Sequence, residues 1–451
     1  MANIFYTAKK TLKKYAEGGN LLIIATILAL IVANLPGVSE YYFGLWQLPV
    51  AFEIGGFNIF SHHGEPMTLM QFINDALMAI FFFNIGLEIK REVLVGELSS
   101  LRKALLPIIA AIGGMIVPVC IFFALGHGSD YEGGAAIPMA TDIAFSLGVL
   151  SILGSRVPIS LKMFLTTLAV VDDIGGILVI AIFYSTSIEA VYLLYSLAIL
   201  VVLVLASNFL HIKSKMFYIG LGCIVWYLFL NSGIHPTIAG VIVAFCIPAT
   251  PVYAPKKYIK TIREVIGKFS AKEDDTLEQS QFLSREQIDW LKEMESATDN
   301  VISPLQELED SLQPLVSYVI IPLFAFANAG ILFQGMSLSA VYSGVGLAVI
   351  CGLLIGKFVG IFSFTWLAIK LKLVTKPDRS TWKMIAGVSM LGGIGFTVSL
   401  FIANLSFGSM GAEGMRLLND AKLGILIGSL LSGIVGYLYL SRVLPKKQIN
   451  E

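Results

Sequence analysis

Hydrophobic residues occur along this chain in long continuous runs, and short polar stretches separate the runs. A helix needs about 20 mostly apolar residues to cross the hydrocarbon core of a bilayer, so runs of this length predict membrane-spanning helices. The runs lack the ten-residue alternation typical of transmembrane β-barrel strands. Twelve segments qualify, of which the seventh and eighth are short: residues 18–36, 70–95, 103–125, 134–153, 158–184, 190–209, 216–230, 235–248, 315–333, 338–371, 382–404 and 422–441.

The composition agrees with a protein whose main solvent is lipid. Hydrophobic residues make up 56% of the 451 residues and charged residues 14%, whereas about 25% of a typical soluble protein is charged. We therefore predict an all-α polytopic membrane protein with about 12 transmembrane helices. The formal net charge is zero, so no overall field attracts nucleic acid. The four cysteines lie in apolar runs without a CxxC pair, so neither a disulfide framework nor a thiolate metal site is expected.

The positions of lysine and arginine predict the orientation of these helices, because cytoplasmic loops are enriched in both residues. With twelve spans and the N-terminus inside, the basic residues fall almost entirely in the cytoplasmic connections. Only Arg416 and Lys422 map to the outside, and Lys357 lies within a span. A miscounted helix would reverse this pattern from that point onward. The pattern therefore predicts a multi-pass protein with both termini in the cytoplasm.

Two stretches between the spans have structural signals of their own. Residues 50–60 carry Gly55-Gly56 between two short strand-like runs, which predicts a β-hairpin on the outside. Residues 249–314 form a long polar segment on the cytoplasmic side. Within it, Ser284-x-x-Gln287 precedes an apolar periodicity that is typical of a capped amphipathic helix. The predicted organisation is spans one to eight in 1–248, a cytoplasmic polar loop or insertion in 249–314, and spans nine to twelve in 315–451.

Ionisable side chains within the predicted spans indicate where the chemistry lies. Such a residue at the centre of a transmembrane helix costs about 2.5–3.5 kcal/mol on insertion scales, so each one needs a partner or a function. Asp172 and Asp173 are adjacent in span five. They differ by about 100° around a helix, so one can face a cavity while the other faces a neighbouring helix. Desolvation favours a protonated carboxyl and a nearby cation favours the charged form, so this pair can exchange protons for cations. For Asp75 in span two, packing and function are both open.

Spans four and eleven each contain a sequence that interrupts a helix. Pro138 removes a helical hydrogen bond in span four, just before Thr141-Asp142, and Gly392-Gly393-Ile-Gly395 in span eleven is a poor helix former. Two broken helices, one in each half, indicate an inverted-repeat transporter with its site near the bilayer midplane. Asp142 can neutralise the partly positive helix N-termini and Lys357 the partly negative C-termini.

Together these segments resemble the NhaA-type bacterial sodium/proton antiporter family. The matching segments follow the family order from about residue 70 to residue 441, with an interruption over residues 249–304. The chain departs from the family pattern at Phe358, where proline is frequent, and in the expanded loop before span nine. The motifs that carry the resemblance are Asn74-Asp-Ala-Leu-Met-Ala79, Gly86-Leu-Glu-Ile-Lys-Arg-Glu92, Ala140-Thr-Asp-Ile-Ala-Phe-Ser-Leu-Gly148, Val171-Asp-Asp-Ile-Gly175, Pro322-Leu-Phe-Ala-Phe-Ala-Asn-Ala-Gly330, Ile355-Gly-Lys357 and Gly393-Ile-Gly-Phe-Thr397.

The resemblance implies a twelve-helix transporter, not an enzyme, in which spans four and eleven are unwound where they cross. It implies electrogenic exchange of cytoplasmic Na⁺ or Li⁺ for external H⁺, with Asp173 as the principal carboxylate, Asp172 beside it and Thr141 nearby. Asp142 and Lys357 would compensate the ends of the broken helices, and Lys357 would also pair with Asp172. Na⁺ is then a transported substrate, and no cofactor is expected.

The resemblance further implies a bacterial inner-membrane protein that is a homodimer, surrounded by lipid, and regulated by pH. Glu88, Arg91, Glu92 and Glu309 match the family's cytoplasmic pH-response cluster. The residues themselves leave another interpretation open, since Glu88 and Arg91 have the i,i+3 spacing of an ordinary helix-end ion pair.

Three other classes of membrane protein use buried acidic residues. An intramembrane aspartyl protease needs two aspartates that face each other, usually from separate helices, whereas Asp172 and Asp173 are neighbours. A channel needs an open polar pore, whereas broken helices and occluded charges favour alternating access. A sodium-coupled solute symporter remains the alternative, because it also uses broken helices. Proton movement evoked by Na⁺ without an organic solute discriminates between the two.

Overall fold

A computed structural model of the chain describes residues 19–55, 57–62, 64–185, 188–210, 212–251, 255–270, 284–333, 339–408 and 410–445. Eight helices in these ranges are long and apolar enough to cross a membrane, or ten if each of two bent helix pairs is one span. Two further apolar helices are shorter. The prediction of a polytopic all-α membrane protein is therefore confirmed, and the count of twelve crossings stays a prediction. The N-terminal segment 1–18 and the tail 446–451 lie outside the described residues.

The helices before the polar segment coincide with predicted spans one to eight, apart from the short α2. They are α1 (Asn20–Asn34), α2 (Ser39–Leu45), α3 (Leu69–Leu94), α4 (Leu101–Gly126), α5 (Ile143–Ile152), α6 (Ile159–Phe183), α7 (Ala190–Asn208), α8 (Lys215–Leu230) and α9 (Thr237–Cys246).

The later helices include two amphipathic ones within the polar segment, α10 (Pro255–Ser270) and α11 (Arg285–Val301). These two helices pack against each other and are joined by an ion pair between Lys268 and Glu293 at 3.1 Å. The predicted cap is confirmed, because the Ser284 and Gln287 side chains each accept the other's backbone N–H. The set is α10 (Pro255–Ser270), α11 (Arg285–Val301), α12 (Pro304–Asn328), α13 (Ser339–Tyr342), α14 (Gly344–Lys370), α15 (Trp382–Leu391), α16 (Phe396–Phe407) and α17 (Gly411–Val443).

Five short strands connect α2 to α3. Strand β2 (Glu53–Ile54) pairs with β3 (Phe57–Asn58) in an antiparallel hairpin, which confirms the predicted turn. Gly55 has φ +61°, a left-handed conformation that favours glycine; Gly56 lies outside the described residues. A second sheet contains β1 (Pro49–Val50), β4 (Ser61–His62) and β5 (Glu65–Thr68), with β5 between the other two.

Both predicted helix interruptions are present in the structure. Ahead of α5, the chain forms two 3₁₀ turns, Glu132–Gly134 and Ile137–Met139, and then runs extended through residues 140–142. Helices α15 and α16 are bent by 44° at a short break. The two breaks touch, because the Asp142 N–H donates to the Ile394 carbonyl at 2.6 Å. Glycine permits this close approach: a Cβ on Gly395 would lie 2.8 Å from the Ala140 carbonyl oxygen.

Three helices contain a short π-helical segment, a feature often found at functional sites. These segments are Phe72–Leu77 in α3, Val316–Ile320 in α12 and Gly352–Gly356 in α14. The first contains Asp75, and the last immediately precedes Lys357. Helix α14 packs along α4, which holds Lys357 in the middle of the helix bundle.

Candidate functional site

Helix α6 carries Asp172 and Asp173 into the middle of the bundle, beside the crossing of the broken helices. Asp172 is completely buried, and its Oδ2 atom accepts a hydrogen bond from Lys357 Nζ at 2.5 Å. The Thr141 hydroxyl lies 2.6 Å from the same oxygen. Lys357 is also fully buried. Residues from three separate spans therefore meet at one carboxylate, and the lysine pairs with Asp172, as the family resemblance implied.

Asp173 has a different environment from its neighbour. It lines a cavity of about 540 Å³ that also reaches Thr141, Asp142 and Glu88. Its Oδ1 atom is buried without a hydrogen-bond partner among the described residues. Asp172 is thus used by a fixed ion pair, while Asp173 lines the main cavity; in each residue the Oδ1 atom is buried without a hydrogen-bond partner among the described residues. This difference follows from their angular separation around the helix.

Asp142 joins the N-termini of two helices. Its Oδ1 atom accepts the Phe145 N–H at 3.0 Å and so caps α5. Its Oδ2 atom accepts the Thr397 N–H at 3.2 Å and the Thr397 hydroxyl at 2.7 Å, in the first turn of α16. A helix N-terminus carries a partial positive charge, so one carboxylate here serves two such ends.

Hydroxyl groups meet the carbonyls at the C-terminal end of α15. The Thr141 hydroxyl lies 2.9 Å from the Gly392 carbonyl oxygen, and the Ser146 hydroxyl lies 3.2 Å from that of Leu391. Within the described residues, the polar contact of the Lys357 ammonium is with Asp172. Thr141 therefore touches both the carboxylate site and the broken end of the other helix.

The residues predicted to respond to pH lie at the C-terminal end of α3 and on the adjoining part of α12. Glu88 lines the main cavity. Arg91 forms ion pairs with Glu309 of α12 at 2.9 Å and with Glu92 at 3.3 Å, and Glu92 also accepts the Glu97 N–H at 3.0 Å. These residues form a cluster that joins α3 to α12, and in the part of the chain that the structure describes they make no hydrogen bond or ion pair with Asp172 or Asp173.

Some polar contacts at the site could not be found from the sequence. Thr397 is in a recognised motif, but its double contact with Asp142 spans more than 250 positions. Asn84 lines the main cavity and donates to the Gln313 side chain at 3.1 Å. The sequence did contain a signal for Asn84, because it is a polar amide in an otherwise apolar stretch of α3. Lys90, in the same helix, donates to the carbonyls of Phe245 and Ile247 at the end of α9.

A smaller cavity of about 170 Å³ lies near the N-terminal end of α3, and its lining includes Asp75 and His235. Asp75 Oδ1 lies 3.4 Å from His235 Nε2. Along α3, Phe82 lies between Asp75, which lines this cavity, and Ile85, which lines the main one. Phe82 belongs to a cluster of three buried phenylalanines: Phe401 lies against Phe82 and Phe324, with ring centroids 5.6 and 6.3 Å apart, and against the His235 ring. We call Phe82, Phe324 and Phe401 the aromatic barrier.

A polytopic helical bundle with two crossed helix breaks and a buried carboxylate pair defines a membrane transporter. Comparison with known proteins identifies the family. A family model described as Na⁺/H⁺ antiporter 1 matches residues 9–440, and the chain belongs to this family.

Curated relatives cover nearly the whole chain. A protein of Phocaeicola vulgatus named Na(+)/H(+) antiporter NhaA is 53% identical over 100% of this chain and 98% of its own length. A protein of the same name from Bacteroides fragilis is 56% identical over 95% of this chain and 96% of its own length. Another, from Helicobacter pylori, is 46% identical over 96% of this chain and 95% of its own length.

Proposed function

We propose that this protein exchanges cytoplasmic Na⁺ or Li⁺ for external H⁺, that the exchange moves net charge, and that Asp173 is the principal site for both ions. The observation that carries the proposal is the orientation of Asp173. Asp173 lines the main cavity, whereas Asp172 is held in the ion pair with Lys357, and the two residues are adjacent in the sequence. Carboxylate oxygens are suitable ligands for a hard cation, and an anionic Asp173 without a cation would be strongly disfavoured at this depth.

Thr141 and Asp172 complete the proposed site. A cation between the two carboxylates would compete with Lys357 and with the Thr141 hydroxyl for Asp172 Oδ2, which both groups contact. The site contains two carboxyls and an amine, so it has three titratable groups and can release more than one proton when one monovalent cation binds. This surplus supports exchange of unequal charge. An imposed membrane voltage should therefore change the exchange rate.

Asp142 and Lys357 are proposed to compensate the broken helices. The three hydrogen bonds from α5 and α16 to Asp142 support its part. For Lys357 the support is its burial beside the crossing, and its ion pair with Asp172 keeps the pair neutral while no substrate cation is bound.

The proposed architecture is a twelve-helix inverted repeat that works by alternating access near the midplane, in the bacterial inner membrane with both termini in the cytoplasm. The aromatic barrier supports this mechanism, because Phe82 lies between the part of α3 that lines the main cavity and the part that lines the smaller cavity at Asp75. In this state the main cavity reaches the Glu88 end of α3, which the basic loops orient toward the cytoplasm.

Regulation by pH is proposed to act through Glu88, Arg91, Glu92 and Glu309. The ion pair between Arg91 and Glu309 joins α3 to α12 at the cytoplasmic end, and both helices contribute residues to the main cavity. Protonation of Glu309 would break this pair, so the opening of the cavity can respond to cytoplasmic pH.

A homodimer is proposed to form through the β2–β3 hairpin. Paired strands at the edge of a sheet offer unpaired backbone groups to a second copy, and this hairpin is outside the helix bundle. The membrane lipids would cover the apolar side chains exposed on the long helices, among them Ile182 and Leu194.

Everted membrane vesicles test the transport proposal. Adding Na⁺ or Li⁺ should dissipate an imposed proton gradient in the absence of any organic solute, and Asp173→Asn should abolish this response, because an amide neither releases a proton nor supplies an anionic ligand. Ser151→Ala, which alters another side chain of the same cavity, is the matched control. Wild-type exchange in Asp173→Asn would refute the proposed role of Asp173. A strict requirement for an organic solute would instead indicate a symporter.

A further inference from the structure

Three buried or half-buried asparagines form a hydrogen-bonded chain across the bundle. The Asn328 Nδ2 group donates to Asn74 Oδ1 at 2.9 Å and to the Phe324 carbonyl at 3.0 Å. The Asn404 Nδ2 group donates to Asn328 Oδ1. Asn328, at the centre of the chain, is completely buried. The three residues belong to α3, α12 and α16, which are far apart in the sequence.

The same three helices build the aromatic barrier. Helix α3 contributes Phe82, α12 contributes Phe324 and α16 contributes Phe401, all of them buried. Within each helix, the asparagine lies one or two turns from the phenylalanine, on the side away from the main cavity. Asn404 follows Phe401 by three positions and Asn328 follows Phe324 by four, whereas Asn74 precedes Phe82 by eight. The asparagines therefore form one layer and the phenylalanines another.

The hydrogen bonds that join the asparagines depend strongly on distance and direction, whereas the contacts between the phenylalanine rings do not. Aromatic rings can slide past one another with little loss of contact, but a hydrogen bond breaks when its partners separate by about 1 Å. In lipid, an amide that loses its partner finds no water to replace it. The asparagine chain thus opposes separation of α16 from α3 and α12 more sharply than the barrier itself does.

We propose that Asn74, Asn328 and Asn404 are positioning residues that hold the aromatic barrier closed toward the outside, and that breaking their chain is a step in exposing Asp173 to the external solution. This inference rests on the proposed alternating-access function. Helix α16 is the element that moves in it, because its first turn contacts the Asp142 carboxylate through Thr397 and the same helix carries both Phe401 and Asn404. The substrate site and the outer closure are therefore connected by one helix of three to four turns.

A cysteine just inside the barrier reports its opening. Ile85 lines the main cavity, one turn from Phe82, so Ile85→Cys is placed in a full-length chain whose native cysteines are replaced by serine. A membrane-impermeant thiol reagent is then added to proteoliposomes from the external side only. Asn404→Leu, which keeps the branched arrangement of side-chain heavy atoms but removes the amide, should raise the labelling rate about threefold, the effect of one average intramembrane hydrogen bond.

Two further variants make the result specific. Asn74→Ala breaks the other bond of the chain and should raise external labelling in the same way, so the inference remains testable if one variant fails to fold. Asn34→Leu is the control, because Asn34 also links two segments, donating to Ile331 O at 2.7 Å, but its helix contributes no residue to the barrier. In the asparagine variants, the external KM for Na⁺ should fall and the cytoplasmic KM should rise.

Unchanged external labelling in both asparagine variants would overturn the inference. An equal increase in Asn34→Leu would also overturn it, since the effect would then be a general loosening of the bundle. Labelling does not depend on transport. If the asparagine chain does not hold the barrier closed, the labelling rates show it, whereas an error about the carboxylate site appears in the exchange assay of Asp173→Asn.

Discussion

Asp172→Asn should destabilise the folded protein, whereas Asp173→Asn should not, although the two residues are adjacent and almost equally buried. Asp172 accepts a hydrogen bond from Lys357 Nζ at 2.5 Å, and neither side chain is exposed to solvent. Removing one partner of a buried ion pair leaves the other charge without compensation, and this costs about 3–5 kcal/mol. For Asp173, no ion pair is found within the described residues, and its Oδ1 atom, like that of Asp172, has no hydrogen-bond partner there.

The expected difference can be measured as thermal unfolding in detergent. At about 2–4 °C per kcal/mol for domains of about 200 residues, and less for larger chains, Asp172→Asn should lower the melting temperature by on the order of 5 °C. Asp173→Asn should melt close to the wild type, because its substitution breaks no ion pair.

A double variant identifies the cause. Replacing a whole buried ion pair by neutral residues is often neutral or stabilising, so Asp172→Asn combined with Lys357→Met should recover most of the lost stability. The coupling energy from this double-mutant cycle should account for most of the single-variant loss. Equal melting temperatures for the two aspartate variants, or no recovery in the double variant, would show that the pair does not stabilise this fold.

Three other predictions concern regions away from the carboxylates. Arg91→Ala should shift the pH of half-maximal exchange while retaining the maximal rate, because it leaves Glu309 without its ion pair; an unchanged pH profile in everted vesicles would contradict the proposed sensor. Deleting residues 50–60 should yield monomers that still exchange ions, and dimers persisting on native gels would place the interface elsewhere. Deleting residues 256–304 should leave maximal exchange largely intact, because α10 and α11 pack mainly on each other, and loss of exchange would show that this segment has an essential role.

The sequence predicted the elements of the site better than their contacts. Hydropathy located the helices, and the charges within apolar runs identified Asp142, Asp172, Asp173 and Lys357 because each is costly in lipid. Pro138 and the glycines of span eleven predicted the two helix breaks through local backbone chemistry. The contact between Thr397 and Asp142 could not be predicted, since it depends on how the breaks cross and no local pattern encodes it.

Helix boundaries were missed where polar residues lower the hydropathy of a helix. Span nine was predicted to begin at residue 315, but α12 begins at Pro304, where the Ser303 side chain accepts the Gln306 N–H. Span twelve was predicted from residue 422, whereas α17 starts at Gly411. Both added segments are amphipathic or charged, so a search for apolar runs excludes them. The local signal at Ser303-Pro304, a capping residue followed by proline, was present in the sequence.

Thr141 gives the proposed mechanism a physical link between cation binding and the broken helices. Its hydroxyl has one proton, and it lies within hydrogen-bonding distance of both Asp172 Oδ2 and the Gly392 carbonyl oxygen. A cation that binds the carboxylates repels this proton from Asp172, and the carbonyl at the end of α15 is the remaining acceptor. The adjacent Asp142 holds the start of α16, so both sides of the break in span eleven are tied to consecutive residues of span four. A change of charge at Asp172 therefore alters the hydrogen bonds of the crossing directly, without a longer path through the bundle.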